Sequence, residues 1–522
     1  MNPLQKIIEN AIKNHQSRNY DEALKLYQLA LKENPNNLDL NILYAQIHFD
    51  MGKVDESLKL FSSLIAVNTN SHILFYNRST IYRKIKLYEN ALDDINRCLA
   101  INHNSDEALN SKGLILSKLK RYQEALNFFN KAIDLDKTKT HFILNKANTL
   151  GRLKKFDKAL EEFNRLICLN PNLTKAYYGR GLAKEELLNF KGALEDYERS
   201  YSIDPSFKLA LSAKSRLLIR LGDFERGWEL YENRYCEEGI VQFKNIFNKP
   251  KWLGKENLNS KTLLLHSEQG LGDTIQFCRY VNLFDCSKIK IILQVQKPLV
   301  DLIKTINDQI TVIEEGLESP PYDYHCSLMS LPLAFKTNLN NIPQSIPYLK
   351  SNREKLIYWK KILGHKSKLR IGIAWSGNPH QINNDRRSFL LSEIQDSLSD
   401  DFEWVSLHNS YHSNELKLLD KLGIKNLQNS SHDFSDTAAI CDLIDIVISV
   451  DTSLAHLSAS LGKKVYLMLP YFPDFRWMTD DKKTPWYDNI EIFKHSKNST
   501  WKQLIGDIQN KIRLINQTNK LN

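Results

Sequence analysis

A 34-residue period runs through the first half of the chain and constrains its fold more tightly than any other feature. Tyr20, Val54, Tyr88, Tyr122, Phe156, Phe190 and Phe224 recur at that interval. Three positions after each comes a small residue: Ala23, Ser57, Ala91, Ala125, Ala159, Ala193 and Gly227. The next is apolar, Leu24, Leu58, Leu92, Leu126, Leu160, Leu194 and Trp228. A second small column, Ala11, Ala45, Ser79, Gly113, Ala147, Gly181 and Ser215, lies twelve residues before the first. Two small columns let paired helices approach closely. The bulky column Tyr27, Phe61, Ile95, Phe129, Phe163 and Tyr197 fills the space between pairs. Pro35, Pro171 and Pro205 share a phase at which a helix must end.

This pattern resembles the tetratricopeptide repeat. It spans residues 4–241 as six full units and a degenerate seventh, so residues 1–241 are expected to form an α-solenoid domain. The first helices of such an array line a concave groove. Asn77 and Asn145 share one register there, two repeats apart. An amide in that place can hold an extended peptide through donor and acceptor together, which makes a protein partner the expected ligand. Chance placement in an Asn-rich chain is the alternative. An array alone carries no chemistry, so any catalysis must lie downstream.

After Tyr235 the period is lost and short apolar strands alternate with helices. Residues 261–266 (KTLLLH), 290–295 and 310–313 read as strands, with helices over 274–283 and 299–306. The proline-punctuated stretch 320–347 reads as loops and short elements, followed by a helix over 352–363. Strands over 369–375 (LRIGIAW), 402–407, 444–450 and 464–469 make a second such unit. The expectation is two doubly wound α/β domains, 242–351 and 352–522, with ligands beyond the carboxyl ends of their strands.

Two motifs in this half carry chemistry. Ser267-Glu268-Gln269-Gly270-Leu271-Gly272-Asp273-Thr274 ends a strand and opens a helix. Gly270 and Gly272 allow positive φ and a close backbone approach to a ligand. Asp273, near a helix N-terminus, is expected to have a low pKa and to act either as a general base or as a cap. Val450-Asp451-Thr452-Ser453-Leu454-Ala455-His456 likewise follows a strand and opens a helix. Its amides and hydroxyls suit a diphosphate; ordinary capping, with His456 packed in the helix, is the alternative. Neither motif is a GxGxxG or Walker sequence, so nicotinamide and P-loop readings fail.

Residues 270–280 (GLGDTIQFCRY), 373–378 (IAWSGN) and 451–463 (DTSLAHLSASLGK) resemble the heptosyltransferase-like glycosyltransferases of family 9, most closely the branch in which tetratricopeptide repeats precede the enzyme. The resemblance implies a GT-B fold of two Rossmann-like domains and a nucleotide-sugar donor on the C-terminal one. It implies inverting transfer without a metal or other cofactor, to a glycan or protein acceptor. Asp273 is then the base. Gly272, Ser376, Gly377, Asn378, Asp451, Thr452, Ser453 and His456 face or shape the donor site. Family members usually place a basic residue after the first strand of the C-terminal domain. Here the stretch runs from His380 to Ser388, and either Arg386 or Arg387 meets that need unless both sit in surface salt bridges. The aromatics of the 473–477 and 485–487 stretches border the cleft, to stack on sugar or base or to pack beneath a loop. Two other readings stand beside this one. One is a non-catalytic scaffold with a degenerate transferase domain. The other is a protein O-glycosyltransferase, since the O-linked N-acetylglucosamine transferase joins the same two parts.

Composition narrows the setting. The chain has 522 residues, a length that implies roughly three domains. No apolar run is long enough to span a membrane. The net charge of +10 is spread without like-charge blocks, which excludes a nucleic-acid arm while favouring anionic substrates. Seven cysteines without a CxxC pair argue against a zinc site or a disulfide framework. With a polar, helical start, these features predict the cytoplasm, including a peripheral place at the inner face of a membrane.

Overall fold

The computed structural model describes residues 3–237, 240, 246–344, 346–378, 384–408, 411, 413–427, 433–480, 482–496 and 499–521. Contacts divide the chain into two compact units, Met1–Pro205 and Ser206–Asn522.

The first unit holds twelve helices in six antiparallel pairs, from α1 (Pro3–Gln16) to α12 (Phe190–Ile203). The two small columns are its contact lines. Ala11, Ala45 and Ala147 of one and Ala23, Ala91, Ala125, Ala159 and Ala193 of the other are fully buried. A Cβ on Gly113 would stand 2.6 Å from the Phe129 ring, and one on Gly181 2.6 Å from Tyr197. Where serine replaces alanine the hydroxyl bonds across the pair: Ser57 Oγ donates to the Ala45 carbonyl (2.7 Å) and Ser79 Oγ to that of Ala91 (2.8 Å). The turn inside each pair has a period of its own. Arg18, Gly52, Lys86, Lys120, Lys154, Leu188 and Gly222 all have φ between 58° and 86°. The left-handed conformation costs a non-glycine residue about 1 kcal/mol. The packed helix pairs impose it at five positions that lack glycine.

The second unit begins with the seventh pair, α13 (Leu209–Arg220) and α14 (Phe224–Tyr231), and a 3-10 turn, Glu232–Cys236. About 14 helices therefore precede the α/β region. Its first sheet has order β3-β2-β1-β4, with β1 (Thr262–His266), β2 (Lys290–Val295), β3 (Thr311–Glu314) and β4 (Tyr324–Ser327) all parallel. Helix α15 (Leu271–Phe277) follows β1, α16 (Val300–Ile303) follows β2 and α17 (Leu331–Ala334) follows β4. Helix α18 (Arg353–Leu363) leads to a parallel second sheet of order β6-β5-β7-β8-β9. Its strands are β5 (Leu369–Ala374), β6 (Phe402–Ser406), β7 (Ile446–Val450), β8 (Lys464–Leu469) and β9 (Ile490–Lys494). Between and after them run α19 (Asn384–Arg387), α20 (Leu391–Ile394), α21 (Ser413–Lys421), α22 (Phe434–Asp442), α23 (Ser453–Ser460) and α24 (Trp501–Leu521).

Strands β4 and β9 depart from the sequence expectation. Tyr324-His325-Cys326-Ser327 lies in a proline-rich stretch and lacks an apolar run, yet its backbone pairs in register with residues 263–266 of β1. The order in which strands are added reverses between β1 and β4 in the first sheet and between β5 and β7 in the second, so these are the two switch points. One buried core joins Phe224, Trp228 and Tyr231 of α14 to strands of both sheets. A second core lies between the other face of the second sheet and α24.

Candidate functional site

The loops singled out in the C-terminal domain leave the two strands that flank the second switch point. Ser376, Gly377 and Asn378 follow β5, while Asp451, Thr452 and Ser453 follow β7. The first loop is pinned from α19: Gly377 N–H donates to Ser388 Oγ (3.0 Å), which donates to Asn384 Oδ1 (2.8 Å). A Cβ on Gly377 would fall 2.8 Å from Arg387 Nη2, so this guanidinium lies over the loop. Arg386 sits beside it on α19. Residues 379–383, which include the first four of the His380–Ser388 stretch, lie outside the described residues.

The β7 turn is built as a cap. Thr452 Oγ1 accepts the Leu454 N–H (3.2 Å) and lies 3.3 Å from Ser449 Oγ. Burial and the neighbouring Asp474 push the Asp451 carboxyl up to about 6 against Arg387 and Arg476. His456 is buried, stacked on Trp477 at 5.0 Å, and its Nδ1 is 3.1 Å from Tyr487 Oη. Burial drives its imidazole down to about 3, so it stays neutral.

Asp273 meets this turn from the first sheet. Its Oδ2 accepts the Gly270 N–H at 3.0 Å, the cap geometry, and its Oδ1 pairs with Arg476 Nη2 at 2.5 Å. Arg476 Nη1 holds Asp474 Oδ1 at 2.7 Å, and Nη2 also donates to Gln269 Oε1 at 3.2 Å. The expected low pKa is not found: burial lifts the Asp273 carboxyl above its ordinary range, outweighing the pull of Arg476. The conformational freedom of the two glycines is not used. Gly270 has φ −71° and Gly272 is helical, so neither uses the left-handed region. Gly272 instead permits contact between helices, since a Cβ there would stand 3.0 Å from His456 Cδ2 and 3.4 Å from Ser453 Cα. The first turns of α15 and α23 touch at this point.

Sequence reasoning missed Arg476, Asp474 and Gln269. The run Asp474-Phe475-Arg476 was the available signal, a guanidinium beside a carboxylate in the stretch between β8 and β9. The aromatics there drew attention instead, and Phe475, Trp477, Trp486 and Tyr487 are all buried as packing residues. Glu268 was missed too. Buried two residues past β1, it accepts from Arg234 Nη2 (2.9 Å), a second Arg234 nitrogen, and Tyr235 Oη (2.9 Å).

In the first unit, the amides of Asn77 and Asn145 each bond to the preceding repeat, and that of Asn77 also bonds within its own helix. Asn77 Oδ1 accepts from Gln46 Nε2 (2.9 Å) and its Nδ2 donates to the Ile73 carbonyl (2.9 Å). Asn145 Nδ2 donates to Asn110 Oδ1 (2.9 Å). Beside Asn77, Arg78 pairs bidentately with Asp94, and three repeats on Arg180 does the same with Asp196. Among the described residues, no group of three or more His, Cys, Asp or Glu side chains is arranged for a metal ion, and no helix is long and apolar enough to cross a membrane.

Tetratricopeptide repeat models match residues 15–74, 106–139 and 174–207, which establishes such repeats in the N-terminal region. Protein FlbA of Caulobacter vibrioides is 22% identical over 292 residues, 50% of this chain and 48% of its own length. The chain thus spans about half of that curated relative. A tetratricopeptide repeat protein from Parabacteroides merdae is 20% identical with a TM-score of 0.40, over 46% of this chain and 95% of its own. YrrB, described as a TPR protein with an unusual peptide-binding site, is 22% identical with a TM-score of 0.31, over 36% of this chain and 97% of its own.

Proposed function

We propose that the chain is a glycosyltransferase that moves a sugar from a nucleotide-sugar donor to a glycan or protein acceptor, with inversion and without a metal. In this reading the repeat array holds the acceptor or a protein partner. One observation carries the proposal: the 376–378 and 451–453 loops follow β5 and β7, the strands at the switch point where open α/β sheets bind ligands. The donor diphosphate would lie at the start of α23, with Arg387 over the 377 loop supplying positive charge in place of a metal. Asp273 would take the proton of the acceptor hydroxyl as its oxygen attacks the anomeric carbon and the nucleoside diphosphate leaves. A carboxyl raised by burial is a stronger base near neutral pH, and Arg476 keeps it ionised.

A non-catalytic scaffold is the second reading, favoured by one observation: both Asp273 oxygens are already engaged, one by a backbone N–H and one by a guanidinium. A thermal-shift screen against nucleotide sugars separates the two. A ligand at 100 times its dissociation constant adds about 2.7 kcal/mol. Selective stabilisation that persists in chelator supports the transferase. A flat panel sinks it, and a strict need for a divalent cation sinks its metal-free form.

A further inference from the structure

We propose that the seventh helix pair, with the 3-10 turn that follows it, is a strut that fixes the two loops meeting at Arg476, with Tyr231, Arg234 and Arg220 as positioning residues for the Asp273–Arg476 pair. Its importance for turnover rests on the transferase reading, but the strut itself is a claim about linkage and is tested separately.

Three contacts join this helix pair to the site. Arg234 is fully buried and straddles Glu268, while its Nη2 also donates to Ser330 Oγ at 2.8 Å. Glu268 stands two residues before Gly270, whose N–H Asp273 accepts. Next, Gln269 Nε2 donates to Tyr231 Oη at 2.9 Å, while Gln269 Oε1 accepts from the Arg476 nitrogen that holds Asp273. Finally, Arg220 Nη2 donates to the Pro473 carbonyl at 2.9 Å, and its guanidinium lies 3.9 Å from the centre of the Phe472 ring. The following residue, Asp474, takes the other end of Arg476. One element thus grips the 268–273 loop and the 472–477 loop on either side of the pair.

Ordinary packing of a helix pair on a domain would use apolar side chains. A fully buried ion pair is an expensive way to dock one, because the desolvation of two charges offsets most of their attraction. Arg234 also occupies the place that a doubly wound sheet ordinarily leaves open. It lies between Glu268, after β1, and Ser330, after β4, at the switch point of the first sheet. The crevice is filled by the chain itself, and what fills it is wired to Arg476.

The test is amide hydrogen exchange on the full-length chain. Tyr231→Phe keeps the ring and removes only the hydroxyl that Gln269 reaches. Exchange should accelerate roughly 3- to 10-fold in residues 269–273 and also in 472–477, with β5 to β8 unchanged, as expected for one lost hydrogen bond in a linked set. Arg220→Lys, which loses the planar fork over Phe472, should accelerate 472–477. Wild-type rates at 472–477 in both variants, or changes confined to residues 228–235, overturn the strut. Calorimetry with uridine, guanosine and adenosine diphosphate on the wild type judges the transferase reading independently. Failure to bind any of them removes that reading and leaves the exchange result standing.

Discussion

Removing the Arg234 side chain should destabilise the second unit in a pH-dependent way that can be worked out from Glu268. Burial alone raises this carboxyl, yet Arg234 overcomes it and holds the group at about 2 against an ordinary 4.5. At about 1.4 kcal/mol per pKa unit the shift corresponds to about 3 kcal/mol of stability. A depressed carboxylate contributes this fully above pH 4.5 and loses it as pH falls toward 2. Arg234→Met leaves Glu268 buried without its counter-ion, a change that costs about 3–5 kcal/mol at pH 7. In the variant the carboxyl regains a proton as the medium is acidified, so the deficit should shrink by more than about 1 kcal/mol between pH 7 and pH 4. Glu232, which Arg234 and Lys251 also hold below its ordinary value despite burial, adds in the same direction. The double variant Arg234→Met with Glu268→Gln should recover more than half of the loss and show no such pH dependence. The assay is urea unfolding followed by tryptophan fluorescence. All eight tryptophans lie from Trp228 onward, so the signal reports the second unit alone. Equal deficits at pH 7 and pH 4, or a double variant no better than the single one, would refute the reasoning.

Three further outcomes are expected. Lys120→Gly replaces an exposed residue held at φ 61° and should stabilise the first unit by about 1 kcal/mol, read as a higher midpoint by circular dichroism; a lower midpoint contradicts the left-handed cost assigned to the turn. Gly272→Ala pushes a Cβ onto His456, which stacking on Trp477 and its Tyr487 contact hold in place, so overpacking should cost about 1–3 kcal/mol in the fluorescence assay. A neutral result there means the α15–α23 contact can open. Asp273→Asn should leave nucleoside diphosphate affinity unchanged while turnover on an identified acceptor falls roughly 10²- to 10⁴-fold; unimpaired turnover reduces Asp273 to a cap.

The period of the array made the first unit legible residue by residue, because every repeat buries the same columns. Strands β1, β2, β5 and β8 were legible for a related reason, as each is an apolar run buried on both faces. Strand β4 was not, since Tyr324-His325-Cys326-Ser327 gains its strand conformation from pairing with β1 and carries no apolar signal. At the site, loops after strands could be placed because strand and helix frame them. The partners of Asp273 could not. Arg476 lies about two hundred residues away, and no local pattern reports which cation a fold will deliver to a given carboxylate. The raised pKa followed from the same blindness: proximity to a helix N-terminus is local, whereas burial is set by elements far apart in sequence.

The seventh repeat shows how a departure from consensus acquires meaning once the fold is known. Gly227 and Trp228 stand where earlier units have alanine or serine and leucine, which in the sequence looks like decay. A solenoid that ends in solvent needs a polar outer face on its last unit. Helix α14 has the opposite character. Phe224, Trp228 and Tyr231 are buried, and the Trp228 ring meets Phe277 of α15 at 5.9 Å and Trp486 at 6.3 Å. Gly227 lets this helix close on α13, because a Cβ there would stand 2.6 Å from Ile219 Cγ1. The substitutions are therefore those of a repeat whose neighbour is an α/β core. That is why the compact units divide after Pro205, whereas the period in the sequence runs on past it. A cut near residue 237, where the period fades, would strip Phe224, Trp228, Tyr231 and Arg234 from the core they complete. A cut after Pro205 keeps that core whole, and it is the division at which an isolated α/β half retains the residues that hold Asp273 and Arg476 together.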